Sequence, residues 1–437
     1  MGKLLTLSRG LVASLLIGGA VASISFGLVW SAVPESSALY AARMGTRYAP
    51  VPAGLNGPPR VVEIPIPSSA RAEAIWGGTG RDASGHIWMG VSETGDGGSA
   101  HLFEYAPESG ALTDRGDVVS ELKQAGIYRA GEGQIKIHTK IIQAEDGYLY
   151  FASFDEEGES ESRGITPKWG GHLWRLKPAN RHWEHLYAVP EGLVSLAGNG
   201  NWIYALGYWG HVVYQYNTQK RTWRQVRVGS VQGHVSRNIV VDRNGHVYVP
   251  RAREWRGNEA AAHPAEVFST ELVEFDTNLK EVASTPLHYY ADANAQQARD
   301  SHGLIGLTYL SDGSIVVSTH VGYLYRIAPA DNGVARVDGL GWMHPDGASY
   351  ASSLFPVDGN RYLAGVVTTQ KGETQWVVYD LQTRQSHVQA FPHFGPGDML
   401  LYGSSTRDDR GQFYVAGRQK NIPHGYKPIL LQVQMRN

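Results

Sequence analysis

Residues 138–153 read HTKIIQAEDGYLYFAS, two short strand-like runs around an Asp-Gly turn, with a histidine and a lysine at the head of the first run. A polar turn carrying glycine between alternating apolar and aromatic residues is the signature of a β-hairpin. The form recurs as RDASGHIWMGV (81–91), GNGNWIYALGY (198–208), DRNGHVYVPRA (242–252), SDGSIVVSTH (311–320), VDGNRYLAGV (357–366) and DDRGQFYVAGR (408–418). The turn glycines Gly85, Gly147, Gly200, Gly245, Gly313, Gly359 and Gly411 lie 45 to 68 residues apart, a period of the order expected for four-stranded propeller blades plus loops.

A third apolar run follows each hairpin, from HLFEYA at 101 to PILLQVQ at 428, and six repeats then continue into a fourth. The seventh stops at Asn437 without one, while PRVVEIPIP (59–67) stands ahead of the first repeat as an unpartnered strand. Ring closure would use that segment as the missing outer strand and remove two open edges. The expected fold is therefore an all-β, seven-bladed β-propeller over 59–437, closed by an N-terminal strand. The plentiful glycines (52) and aromatics (12 Trp, 23 Tyr) agree with many short strands and little helix.

The chain has 39 basic and 41 acidic side chains, a formal net charge of -2. That balance lacks the basic excess that nucleic-acid binding needs. With no cysteine, disulfide frameworks and thiolate metal sites are excluded. Lys3 and Arg9 precede LVASLLIGGAVASISFGLVW (11–30), twenty residues without a charge, long enough to span a bilayer as a helix. Residues 1–33 are accordingly expected to be a signal or anchor helix that exports the rest, facing the periplasm or cell exterior. Small residues from Ser31 to Ala38 leave secretion after cleavage as the alternative. Residues 34–58, rich in proline, read as a flexible linker.

In a propeller the glycine turn joins the innermost strand to the second on one face. The start of the first strand and the end of the second then meet on the other face. Strand starts supply His138, Lys140, His234, Arg237, His302, Tyr350 and Tyr402; strand ends supply Phe154, Asp155, Tyr208, Trp209, His211, Arg251, Arg253 and His320. His138, His234 and His302 precede their turn glycines by 9, 11 and 11 residues, which predicts imidazoles converging on one central funnel. Asp82, Asp146, Asp242, Asp312, Asp358 and Asp409 read as turn formers. Trp174, Trp183, Trp223 and Trp376 read as packing residues. His182 and His185 are expected to be solvated, and so is the acidic run DEEGESES (155–162), apart from a weak calcium alternative.

The succession KIHTKI, ASFDEEGES, GGHLWRL, GYWGHVVYQYN, HVSRNIVVDRNGHVYVPR and SHGLIGL resembles the seven-bladed propeller polysaccharide lyases of the ulvan lyase type, over most of residues 60–437. The resemblance implies cleavage of a uronate-containing polysaccharide by β-elimination. Histidine and tyrosine would transfer protons while a basic residue meets the uronate carboxylate. His138, Tyr208 and Arg237 match those roles, although Phe154 to Ser162 supplies no second histidine. Lys140, Trp209, His211, His234, Arg251, Arg253, His302 and His320 are the expected substrate contacts, and no cofactor is required.

Two other classes stay open. His138, His234, His302 and His320 form a candidate ligand set for a divalent metal, since imidazole suits iron, zinc and manganese. A non-catalytic propeller that binds glycan or protein is the other, because fold does not fix function.

Overall fold

The computed structural model describes residues 55–435 apart from 56, 68, 70, 161–162, 164, 181, 210, 232, 256–267, 293–294, 296, 332, 358–360, 394–397, 404–405 and 422–424. The expected helix at 1–33 and nearly all of the linker at 34–58 lie outside the described residues, as do Asp358 and Gly359. No helix among the described residues is long and apolar enough to cross a membrane. The single α-helix described, Val118–Gln124, starts from Asp117, whose side chain accepts a hydrogen bond from the amide of Ser120.

The chain is all-β with a β-propeller arrangement. Antiparallel four-stranded meanders follow one another, as in Leu193–Asn199, Trp202–Gly207, Val212–Asn217 and Thr222–Arg227. The turn chemistry predicts this. Asp82 Oδ1 accepts the amides of Ser84 and His86, and its Oδ2 takes the Trp88 indole N–H at 2.9 Å. Asp242 repeats the pattern with Asn244, His246 and the Tyr248 hydroxyl. One carboxylate thus closes the loop and ties it to the second strand. In the last repeat this role belongs to Asp408, which takes the amides of Arg410 and Gln412 and the Tyr414 hydroxyl. The expected turn former Asp409 instead pairs with Arg81. Gly85, Gly147, Gly245 and Gly411 hold φ between +76° and +82°, the left-handed region that only glycine enters without strain.

Closure follows the expected route. Arg60–Ile64 pairs antiparallel with Gly425–Gln434, from Arg60 opposite Gln434 to Ile64 opposite Leu430. Ile64 buries itself beside Met89 and Leu430 in the core between the last repeat and the first.

Seven separate blades are not what the sheets form. Among the described residues five blades stand alone, and the first two repeats share one curled sheet of nine strands. Their inner strands, Thr79–Arg81 and Ile141–Gln143, pair in parallel through Gly80 opposite Ile141 and Arg81 opposite Ile142. The physical cause is glycine. A Cβ at Gly80 would overlap the Ile141 carbonyl oxygen and stand 2.7 Å from its carbon, so only a bare Cα lets the two backbones approach to bonding distance.

Hydrophobic cores lie between adjacent sheets. Tyr248 and Leu272 of one meander pack with Leu307, Val317 and Tyr325 of the next, and Trp376 fills the core that the last two repeats share. The expected packing tryptophans Trp174 and Trp183 meet edge to face at 5.7 Å, and Trp223 stacks on Tyr216 at 4.5 Å.

Candidate functional site

The strand starts and strand ends do meet on one face, around Arg237. Its Nη1 lies 3.4 Å from the Trp76 carbonyl oxygen and 3.5 Å from His138 Nε2, and its guanidinium sits 4.9 Å over the Tyr402 ring. Arg237 is half-buried and makes no ion pair with a carboxylate among the described residues. A guanidinium withdrawn from water without a counter-charge is the natural receptor for an anion.

His138 keeps one ring nitrogen free to accept a proton. Its Nδ1 lies 2.9 Å from the Val194 carbonyl oxygen; a carbonyl only accepts, so Nδ1 carries the proton and Nε2 keeps its lone pair. Burial first, then the charges of Arg237 and Lys136, hold its pKa well below the ordinary imidazole value. His302 and His320, with ring centroids 5.0 Å apart, follow the same logic. Burial and then Arg237 lower them to about 3 and about 4. His320 Nδ1 accepts the His302 amide at 2.9 Å, which leaves its proton on Nε2. Burial raises Tyr350 and Tyr402. The funnel is thus one cation among neutral imidazoles and protonated phenols.

A wall of alternating cations and rings flanks it. Arg418 lies 3.9 Å over Tyr426 and 4.8 Å over Trp76, and Lys136 lies 4.8 Å over Trp76 and 5.9 Å over Phe154. These cations are paired, Arg418 with Glu73 and Lys136 with Glu156, unlike Arg237. Of twelve buried side-chain polar atoms without a hydrogen-bond partner among the described residues, five belong to this cluster: Trp76 Nε1, Arg237 Nε, His302 Nδ1, Tyr350 OH and Arg418 Nε. Buried polar groups are normally satisfied, and this face concentrates those that are not.

Sequence reasoning placed some residues here and others not. His138, Arg237, His302 and His320 come together. Tyr208 stands one ring away, its ring 6.4 Å from Phe154, which in turn lies 6.2 Å from His138. Trp209 is only 3% exposed and bonds through its amide to Glu191 and its indole to Glu159, which leaves no ring face for a sugar. Lys140 lies farther down the channel. Arg251 is bound to Glu271 and Glu281, and Arg253 to Glu271, so both serve the sheet edge.

His234 and His211 are structural. His234 Nδ1 meets Ser230 Oγ at 2.7 Å and Nε2 meets the Tyr290 hydroxyl at 2.8 Å. His211 Nδ1 and Nε2 lie 2.9 and 2.8 Å from the carbonyl oxygens of His234 and Pro250, and the two rings stack at 4.7 Å. The four-histidine metal set therefore does not assemble: both nitrogens of His234 are engaged, and Arg237 places a positive charge among the other three, where it opposes a metal cation. In the tight clusters Asp82–His86–Glu104 and Asp242–His246–Glu274 the aspartates take the turn amides described above, and the imidazoles of His86 and His246 bond Glu104 and Glu274.

His182 is exposed as expected, but two other expectations of solvation fail. His185 Nε2 bonds to His172 Nδ1 at 2.9 Å, and His172 Nε2 to Glu132 at 3.1 Å; burial and the neighbouring His172 lower His185 to about 4. In the acidic run, Asp155 is buried, Glu156 pairs with Lys136, and Glu157 bonds Lys168 and Trp169. Trp76, Lys136 and Arg418 were missed as site residues. Lys136 sits two residues before His138 and was open to discovery by strand alternation; Trp76 and Arg418 carry no local signal.

No family model matches the chain, and neither does any curated protein. Solved structures similar to it include the extracellular domain ascribed to a hybrid two-component system of B. thetaiotaomicron, at 14% identity and TM-score 0.51, covering 85% of this chain and 39% of that one. Another is a protein of unknown function from Dyadobacter fermentans, at 12% identity and TM-score 0.50, covering 86% and 99%. The chain thus spans about two fifths of the first structure's length. At such identities the likeness establishes the propeller fold alone.

Proposed function

We propose that the protein is an exported enzyme that cleaves a uronate-containing polysaccharide by β-elimination in this funnel, as the resemblance to ulvan-lyase-type propellers implies. The observation that supports it most is the Arg237–His138 pair, an uncompensated guanidinium 3.5 Å from the lone pair of a neutral imidazole. The uronate carboxylate binds Arg237, whose charge offsets the dianion-like enolate that forms when the α-proton leaves. His138 Nε2 takes that proton. The C–H electron pair becomes the new double bond, and the glycosidic C–O bond breaks with its electrons on oxygen. That oxygen takes a proton from a tyrosine. Tyr208 is the phenol that the resemblance implies, although it stands one ring beyond His138; Tyr350, 5.8 Å from His320, has the hydroxyl without a partner among the described residues. The charge-free segment 11–30 behind Lys3 and Arg9 supports export and membrane attachment, where a polysaccharide substrate would be met.

The test incubates the full chain with a panel of uronate polysaccharides and follows the ultraviolet absorbance of unsaturated uronate. Turnover is expected, with His138→Ala reduced by at least roughly 100-fold, the usual scale for a positioned base. The cation and aromatic wall from Tyr426 to Phe154 favours one second reading, a glycan-binding propeller without catalysis. Retained glycan binding with no absorbance change on any polymer would establish that reading and overturn the lyase.

A further inference from the structure

Beyond the funnel, toward the glycine-turn face, inner strands of six repeats line a cavity of about 380 Å³ that opens to solvent past Arg407 and Tyr309. Only a position on the propeller axis touches so many inner strands. Lys140, Arg81 and Arg407 line it together with Tyr309, apolar residues such as Ile141 and Leu307 complete the wall, and no aspartate or glutamate takes part. Lys140 stands directly ahead of the inner strand Ile141–Gln143 and lines this cavity, whereas His138, two residues earlier, does not.

We propose that this axial cavity is an oxyanion site, separate from the funnel, that takes a small tetrahedral anion of the phosphate or sulfate class. Lys140 makes no hydrogen bond or ion pair among the described residues, and neither does the side chain of Arg407. Arg81 pairs with Asp409 and so adds less. Burial alone lowers the Lys140 amine, to about 8, so it stays protonated at neutral pH with nothing to compensate it. The Tyr309 hydroxyl accepts the Val241 amide at 3.4 Å and keeps its own proton to donate. A charge without a counter-charge at the buried wall of a partly open axial cavity selects a compact anion.

The experiment is calorimetric titration of the full chain with inorganic phosphate and with sulfate at low ionic strength. One site is expected, with Lys140→Met weakening binding by at least about tenfold and Lys140→Arg restoring it to within about threefold. Sulfate, whose charge is constant across the range, should bind less tightly as pH rises from 7 to 9 and Lys140 loses its proton. The other titratable groups on the cavity wall are Arg81, Arg407 and Tyr309; the strand stretches Leu196–Gly198 and Ile239 present none. Unchanged affinity in Lys140→Met, or no binding by the unaltered chain up to about 10 mM, overturns the proposal. If Lys140→Met fails to fold, Arg407→Gln at the exposed rim should still weaken sulfate by about threefold or more, and an unchanged affinity there overturns it equally. His138→Ala and Arg237→Gln should leave sulfate binding intact; loss in either would place the anion in the funnel instead.

Discussion

Arg237→Gln removes the one funnel cation that has no carboxylate partner among the described residues, and its effects are calculable. A carboxylate about 4 Å from a guanidinium gains about 4 kcal/mol at an effective dielectric near 20. Arg237 is half-buried, so solvent screening reduces this to about 2–3 kcal/mol, equivalent to about 30- to 150-fold in kcat/KM. The fold should hardly notice, because the hydrogen bonds of the Arg237 side chain are long ones, 3.4 Å to Trp76 and 3.5 Å to His138, its guanidinium Nε has no partner to leave behind, and the short bond from its amide to the His302 carbonyl survives the substitution. Arg237 also holds the His138 pKa down, second only to burial. Its removal should therefore shift the acidic limb of the pH–rate profile to higher pH, since His138 must be neutral to accept a proton. The assay is initial-rate formation of unsaturated uronate across pH, beside a thermal melt. An Arg237→Gln enzyme within threefold of the parent, with its acidic limb unmoved, refutes the assignment; a fall in melting temperature that accounts for the missing activity would assign Arg237 to structure.

Gly80→Ala tests the seam between the first two repeats. A methyl there overlaps the Ile141 carbonyl, so the parallel pairing must open, at a cost of about 2–4 kcal/mol from two broken ladder bonds and overpacking; a denaturation midpoint equal to the parent's would show that the pairing is dispensable. The buried imidazoles make stability depend on pH. His302 and His320, lowered to about 3 and about 4, stay neutral in the fold while the unfolded chain protonates near 6.5, so their contribution is complete above about 6.5 and is lost as pH falls toward 4. Asp155, raised by burial to about 6, works in the opposite direction, so the clean readout is the difference between the parent and a His302→Gln, His320→Gln double variant. The urea midpoint should fall less between pH 7 and pH 5 in the double variant, and equal slopes would refute the account.

The sequence by itself determined what is local or periodic. A turn such as AEDGYLYFAS carries its own instructions in a carboxylate, a positive-φ glycine and alternating strands. Repetition of that turn reveals a ring, and the strand-like run ahead of the first repeat, PRVVEIPIP, supplies its closure through Arg60–Ile64. Strand polarity then places His138, Arg237, His302 and His320 on one face. Tertiary structure alone decided which polar groups at that face remain unsatisfied. His234 has the same sequence setting as His302, yet Tyr290, 56 residues away, takes its Nε2, whereas His302 Nδ1 finds no partner among the described residues. Trp76 and Arg418 enter the site by stacking across the point where the ring closes, and the first two repeats share a sheet because Gly80 happens to face Ile141. Hairpins form between neighbours in the chain, where pattern is enough; hydrogen-bond satisfaction and backbone approach depend on what the closed ring brings from elsewhere, and no single stretch of sequence contains that.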